Sequence, residues 1–128
     1  MKLLDTIVVI GSFNPSDKFH SQCIRHLRTI DSKKDVFVPF VTILEADLVM
    51  KARGYTHDER RISWQALEHE IPTSKLVPNS VSSIRAALKL QEAGMDYFDS
   101  LVASLALELE AVVITNDQEI GRVVKTEW

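Results

Sequence analysis

The sequence predicts an α/β fold in three layers, with helices on both faces of a mostly parallel sheet. Short segments rich in β-branched residues alternate with longer segments of helical periodicity, and the connections between them are short. The chain's 128 residues, 45% apolar and 26% charged, suit one domain over residues 1–128 that buries its own core.

The first segment, Leu3-Leu4-Asp5-Thr6-Ile7-Val8-Val9-Ile10, predicts a strand from about Lys2. Periodicity leaves its end open, at Asp5 or near Ile10. Asn14-Pro15-Ser16 predicts a helix start, followed by an apolar stripe of Phe19, Cys23, Leu27 and Ile30, and the polar run Asp31 to Asp35 stops it. Val36-Phe37-Val38 is a short buried strand ended by Pro39, and Val41 to Arg53 is a helix closed by Gly54. Thr56-His57-Asp58 starts a helix running toward Glu70, with Pro72 after it, and Lys75-Leu76-Val77 is a brief strand.

Asn79 or Ser80 caps the next helix, which carries Val81, Ile84, Leu88 and Gln91 near one face and ends at Gly94. Tyr97 to Leu109 is apolar on most sides and therefore a central helix packed on more than one surface. Ala111 to Thr115 is a buried strand. No repeat, linker or low-complexity tract interrupts this order.

A formal net charge of -3 gives no global attraction to nucleic acid, so such a partner must be met by local basic patches or through metal ions. The single Cys23 excludes an internal disulfide and a multi-cysteine zinc site. No stretch reaches membrane-spanning length, and Asp5 breaks the one signal-like start, so a cytoplasmic protein is expected.

Four acids stand near the ends of predicted elements: Asp5, Glu45, Asp99 and Asp117. In open α/β sheets ligands bind beyond the carboxyl ends of the strands, where the strand order switches. Each acid also has a purely structural explanation except the first. Thr42-Ile43-Leu44-Glu45 fits a capping box, Asp96 and Asp99 fit an N-cap with a first-turn dipole partner, and Asp117 fits the cap of a short helix through Gly121. Asp5, lying between aliphatic residues, has no obvious local donor. Taken together, four carboxylates without His or Cys partners suit a hard cation, Mg²⁺ or Mn²⁺, rather than zinc. Such a site can orient a phosphodiester, acidify a bound water and stabilise a leaving oxygen.

Leu4-Asp5-Thr6, Thr42-Ile43-Leu44-Glu45, Tyr97-Phe98-Asp99-Ser100-Leu101-Val102-Ala103 and Ile114-Thr115-Asn116-Asp117 stand in the order of the motifs of PIN-domain ribonucleases. Over nearly its whole length the chain resembles that family, particularly the VapC-type toxins. The resemblance implies a PIN-like α/β/α sandwich and an Mg²⁺- or Mn²⁺-dependent endoribonuclease. It assigns Asp5, Glu45, Asp99 and Asp117 to the metal site and catalysis, with Thr6 in the first motif and Thr115 as supporting hydroxyls. It further implies an RNA substrate, an antitoxin protein as partner, and a homodimer. The first strand should then stop near Asp5, with 7–12 turning into helix. Ile7 departs from the pattern, because the family commonly carries Asn or Ser there and Ile cannot hydrogen-bond the carboxylate or substrate.

Lys51, Arg53, Arg60 and Arg61 cluster around the second and third predicted major helices and are candidate phosphate contacts, although a solvated helix face is the commoner explanation for such residues. Two rival readings remain at this level. One is a PIN-like RNA- or protein-binding subunit without nuclease activity, and the other is an aspartyl-phosphate enzyme using Asp5. The Asp-x-Asp pattern common in the latter is broken by Ile7.

Overall fold

The computed structural model describes residues Met1–Trp128. Five strands form one parallel sheet in the order β3-β2-β1-β4-β5: β1 (Lys2–Leu4), β2 (Val36–Pro39), β3 (Leu76–Val77), β4 (Val112–Ile114) and β5 (Thr126–Glu127). Seven helices connect or flank them: α1 (Thr6–Phe13), α2 (His20–Arg28), α3 (Phe40–Ala52), α4 (His57–Glu70), α5 (Val81–Glu92), α6 (Tyr97–Leu109) and α7 (Gln118–Gly121). The alternation read from the sequence is therefore the fold. No helix is long and apolar enough to cross a membrane.

Two apolar clusters lie on opposite faces of the sheet, as alternating strand side chains require. Leu4, Val36, Val38 and Ile114 meet Val8, Val9, Cys23, Leu27 and Ile30 from α1, α2 and the turn after it. Leu3 and Val113 meet Val102, Leu105 and Ala106 of α6 together with Ile120 and Val124. Residues 100–106 of α6 are buried without interruption, which fits its expected place as a helix packed on several sides.

One boundary that the sequence left open is settled, and two elements differ from the reading. The open question at the first strand resolves at Leu4, and Ile7 to Ile10 lie in α1, as the family resemblance implied. The helix expected from Asn14-Pro15-Ser16 begins only at His20. Asn14 and Asp17 instead accept the backbone N–H groups of Ser16 (3.1 Å) and Phe19 (2.8 Å), and these local turns compete with helix. Finally β5 has no counterpart in the reading, since Thr126-Glu127 is only two residues long and carries no apolar pattern.

The expected capping box at Thr42 and Glu45 does not form. The helix α3 already begins at Phe40, and Thr42 Oγ1 donates to the Leu4 carbonyl at 3.2 Å. A true capping box occurs one helix later, between Thr56 and Glu59. The cap expected at Asn79 or Ser80 is Ser80, whose hydroxyl accepts from Ser83 N–H at 3.0 Å. Gly54 and Gly94, at φ 85° and 99°, close α3 and α5 in the left-handed region, as expected.

The strand order reverses at β1, because β2 and β3 extend to one side of it and β4 and β5 to the other. This leaves a crevice at the carboxyl ends of β1 and β4, where ligands of open parallel sheets bind.

Candidate metal centre

Asp5 follows the last residue of β1 directly and caps α1, accepting the Thr6 N–H at 2.7 Å. This corrects the reading that Asp5 lacks a local donor: the strand ends earlier than its apolar run suggests, and the turn into α1 supplies one. Across the crevice Thr115, just past β4, donates its hydroxyl to Asp5 Oδ2 at 2.7 Å and accepts the Asp117 N–H at 3.0 Å. Thr115 is thus a brace between the β1 and β4 ends.

Thr42 bonds α3 to the end of β1, and one helical turn later Glu45 faces the same crevice. There its carboxylate accepts the Thr6 hydroxyl. Asp99 enters from the first turn of α6. Carboxylate oxygens of Asp5, Glu45 and Asp99 all lie within 4.8 Å of one another. Asp117 stands outside this group. One of its oxygens accepts the Glu119 N–H at 2.8 Å, so its capping reading describes what the side chain does. By contrast, Asp96 occupies the N-cap position of α6 but makes no capping bond with its side chain.

Crowding carboxylates away from water raises their affinity for protons. Asp5 is 4% exposed, and burial, reinforced by the Glu45 and Asp117 charges, outweighs its two hydrogen bonds and pushes its pKa up to about 6. Asp99 also rises to about 6, through burial first and then the charges of Asp5, Asp117, Asp96 and Glu119. Glu45 is raised by burial and by Asp99, Asp96 and Asp117, against the Thr6 bond. Asp96 and Glu119 therefore deepen the negative potential of the crevice. Only their nearness to Asp99 and Asp117 in the sequence hints at it.

The donor set fits a hard divalent cation. All three groups offer oxygen, and oxygens on an octahedral Mg²⁺ are about 3 Å apart when adjacent and about 4.2 Å apart when opposite. Asp5 and Asp99 lose protons near pH 6, so a cation meets charged ligands at neutral pH.

The basic candidates lie elsewhere and divide into two kinds. Arg60 forks onto Asp47, with Nε and a terminal nitrogen 3.0 and 2.6 Å from its two oxygens, and Asp47 also accepts Trp64 Nε1 at 2.8 Å. Arg61 pairs with Asp58. Lys51 and Arg53 at the far end of α3 are exposed and make no ion pair. Ile7 packs its side chain against the core cluster of α1 and α2.

The sequence profile of the PIN-domain family matches residues 2–125. No curated protein matches the chain. Among solved structures, FitAcB from Neisseria gonorrhoeae is similar at TM-score 0.69 and 22% identity, covering 98% of this chain and 96% of that one. VapBC2 from Rickettsia felis, bound to a DNA fragment from its promoter, is similar at 0.71 and 14%, covering 99% and 98%. The sarcin–ricin loop cleaving toxin VapC20 of Mycobacterium tuberculosis is similar at 0.72 and 12%, covering 95% and 94%. At these identities the likeness is one of fold, and the match over residues 2–125 carries the family: the chain belongs to the PIN-domain family.

Proposed function

We propose that this protein is a metal-dependent endoribonuclease that hydrolyses RNA phosphodiester bonds as the toxin of a toxin–antitoxin pair. The observation that carries the reading is the convergence of Asp5, Glu45 and Asp99 within 4.8 Å at the switch point of the sheet. Asp5, Glu45 and Asp99 would hold Mg²⁺ or Mn²⁺, with Asp117 beside them. When bound, the cation supplies Lewis acidity toward the phosphoryl group and lowers the pKa of water.

The chain's own residues do the positioning. Thr115 and the Thr6 N–H fix Asp5, and the Thr6 hydroxyl fixes Glu45, so two ligands from distant elements share one residue as their brace. Asp117, one of whose oxygens accepts the Glu119 N–H, would help orient the attacking water through the other. Lys51 and Arg53, unpaired, contact RNA phosphates, and Arg60 and Arg61 do so only by exchanging their internal partners. The fold shared with VapBC complexes and with a toxin that cleaves the sarcin–ricin loop supports RNA as the substrate and an antitoxin as a partner.

The test is cleavage of single-stranded RNA by the purified protein with Mg²⁺ or Mn²⁺, with EDTA as the blank. The Asp5→Asn protein, which removes a ligand charge at nearly constant volume, is expected to be folded and inactive. Undiminished cleavage by that variant would defeat the assignment.

A further inference from the structure

A second cleft, sharing no residue with the acidic site, lies between α2 and Trp128, with a volume of about 470 Å³. Arg25, Arg28 and Lys33 line it together with His26, Thr29 and Trp128, and no Asp or Glu does. None of these three cations makes an ion pair, whereas Lys2, Arg60, Arg61 and Arg122 all do. In a chain of net charge -3, three unpaired cations around one cleft are a local reversal of sign. Glu127 next door is neutralised by Lys2 at 2.8 Å.

Two polar atoms of the cleft's own residues, His26 Nε2 and Trp128 Nε1, are buried without a hydrogen-bond partner. An indole N–H can only donate, so what it lacks is an acceptor. The two rings lie 5.8 Å apart and tilted, and Phe19 also stands edge-on to Trp128. Burial and the charges of Lys33, Arg25 and Lys2 hold the His26 pKa below its ordinary value, against Glu127.

The cleft is also tied to the acidic site. Trp128 directly follows Glu127, whose carbonyl accepts the Thr115 N–H at 2.9 Å, and the Thr115 hydroxyl holds Asp5. Two residues, Glu127 and Thr115, and two hydrogen bonds therefore separate the cleft wall from the innermost acid.

From this geometry we infer that the α2 cleft binds backbone phosphates of single-stranded RNA, as a second contact beyond the acidic site. The inference rests on the reading of the protein as a ribonuclease. Phosphate oxygens supply the acceptors that the three unpaired cations lack. Arg25 and Arg28, three residues apart, share one face of α2, and Lys33, beyond the end of the helix, lines the same cleft. Three cations suit successive phosphodiesters better than one free phosphate.

The experiment measures binding of a non-cleavable, 2′-O-methylated oligoribonucleotide in EDTA, so that catalysis plays no part. The triple variant Arg25→Gln, Arg28→Gln, Lys33→Gln, all at exposed positions, is expected to bind at least ~10-fold more weakly, with the salt dependence shallower by about 0.7 per lost phosphate contact. The Trp128 indole N–H resonance should move on RNA addition in the parent protein and stay still in the variant. Unchanged affinity and salt slope would overturn the inference. So would an equal loss in Arg85→Gln, Lys89→Gln, which removes two exposed charges on α5, or a Trp128 shift produced by inorganic phosphate that RNA does not reproduce. RNA binding through the cleft by a protein that cleaves nothing would sink the nuclease reading and leave this one standing. Cleavage with unaltered binding by the triple variant would do the reverse.

Discussion

Thr115 and Asp5, 110 residues apart in the chain, are joined by a 2.7 Å hydrogen bond in which the hydroxyl serves a buried carboxylate. Removing one partner of such a bond leaves the other unsatisfied, at about 1–3 kcal/mol. Thr115→Val removes the hydroxyl at nearly constant shape and is expected to cost that much stability at pH 7.5 with divalent ions chelated. At pH 4.5 Asp5 is protonated and the cost should shrink, while Thr115→Ser should restore most of it at both pH values. Urea unfolding at the two pH values checks this, and equal losses at both would show that the hydroxyl does not serve a charged Asp5.

Thr6 spends its backbone N–H on Asp5 and its hydroxyl on Glu45. The first bond survives any side-chain change and the second does not. Thr6→Val should therefore leave α1 in place, free the Glu45 carboxylate, and weaken Mn²⁺ binding by roughly 10- to 100-fold, as losing a group that orients a ligand does. Calorimetric titration with Mn²⁺ measures it, and Thr6→Ser should bind like the parent. Equal affinity in the Val variant would remove Thr6 from the site.

The acids also set a direction for stability against pH in the absence of metal. Asp5 has its pKa raised in the folded state from 3.8 to about 6, so between those values the folded protein holds more protons than the unfolded one. The contribution of Asp5 is fully present below pH 3.8 and is lost as pH rises through 6, a fall on the order of 3 kcal/mol for a shift of about two pKa units. Glu45 and the partly exposed Asp99 shift in the same direction. In EDTA, the stability of the parent protein minus that of Asp5→Asn should therefore decline from pH 4.5 to 7.5. Mg²⁺ or Mn²⁺ should stabilise the parent more at pH 7.5 than at pH 4.5, where protons compete for the same oxygens. Melting curves across that range decide it, and a difference that stayed flat or rose with pH would contradict the burial of Asp5 as a strained charge.

Much of this centre was legible in the sequence because its ligands lie at the ends of elements that hydrophobic patterning marks well. Asp5 interrupts an aliphatic run, and the long apolar segment 97–109 announces α6 with Asp99 in its first turn. What patterning could not supply was the side-chain accounting. Thr42 and Glu45 have the spacing of a capping box, yet Thr42 bonds across to β1, because a buried hydroxyl near a strand's last carbonyl has a nearer partner than its own helix. The end of β1 was ambiguous because Ile7-Val8-Val9-Ile10 are strand formers, and tertiary burial of Val8 and Val9 in α1 overrides that preference. The pairing of Arg60 with Asp47 was hidden because it joins two helices that only the fold sets side by side.

That pairing makes its own prediction. Asp47 accepts three N–H bonds from two residues of α4 while standing on α3, so Asp47→Ala should loosen the two helices and expose Trp64. A lower melting temperature and a red-shifted tryptophan emission are expected. RNA affinity should change less than in Lys51→Gln, Arg53→Gln, where unpaired charges are removed. Binding and melting measured on the same three proteins separate the two effects, and a larger loss of RNA affinity in Asp47→Ala would mean that Arg60 acts on RNA while paired.

Gly11 marks a close approach that depends on a single neighbour. A Cβ built on Gly11 in α1 would stand 2.5 Å from Cys23 Sγ and 3.3 Å from its Cβ, and both residues are buried. Gly11→Ala gains up to about 1 kcal/mol of helix propensity, but it forces an overlap into a packed interior, where added methyl groups cost about 1–3 kcal/mol. The net expectation is destabilisation by forcing α1 from α2. Cys23→Ala alone leaves a small void where the sulfur was, and the methyl of Gly11→Ala enters that void. The double variant should therefore be more stable than the two single losses add up to, by at least about 1 kcal/mol. Urea unfolding of the four proteins closes the cycle. Strict additivity would mean that the two helices already have room to part at this contact.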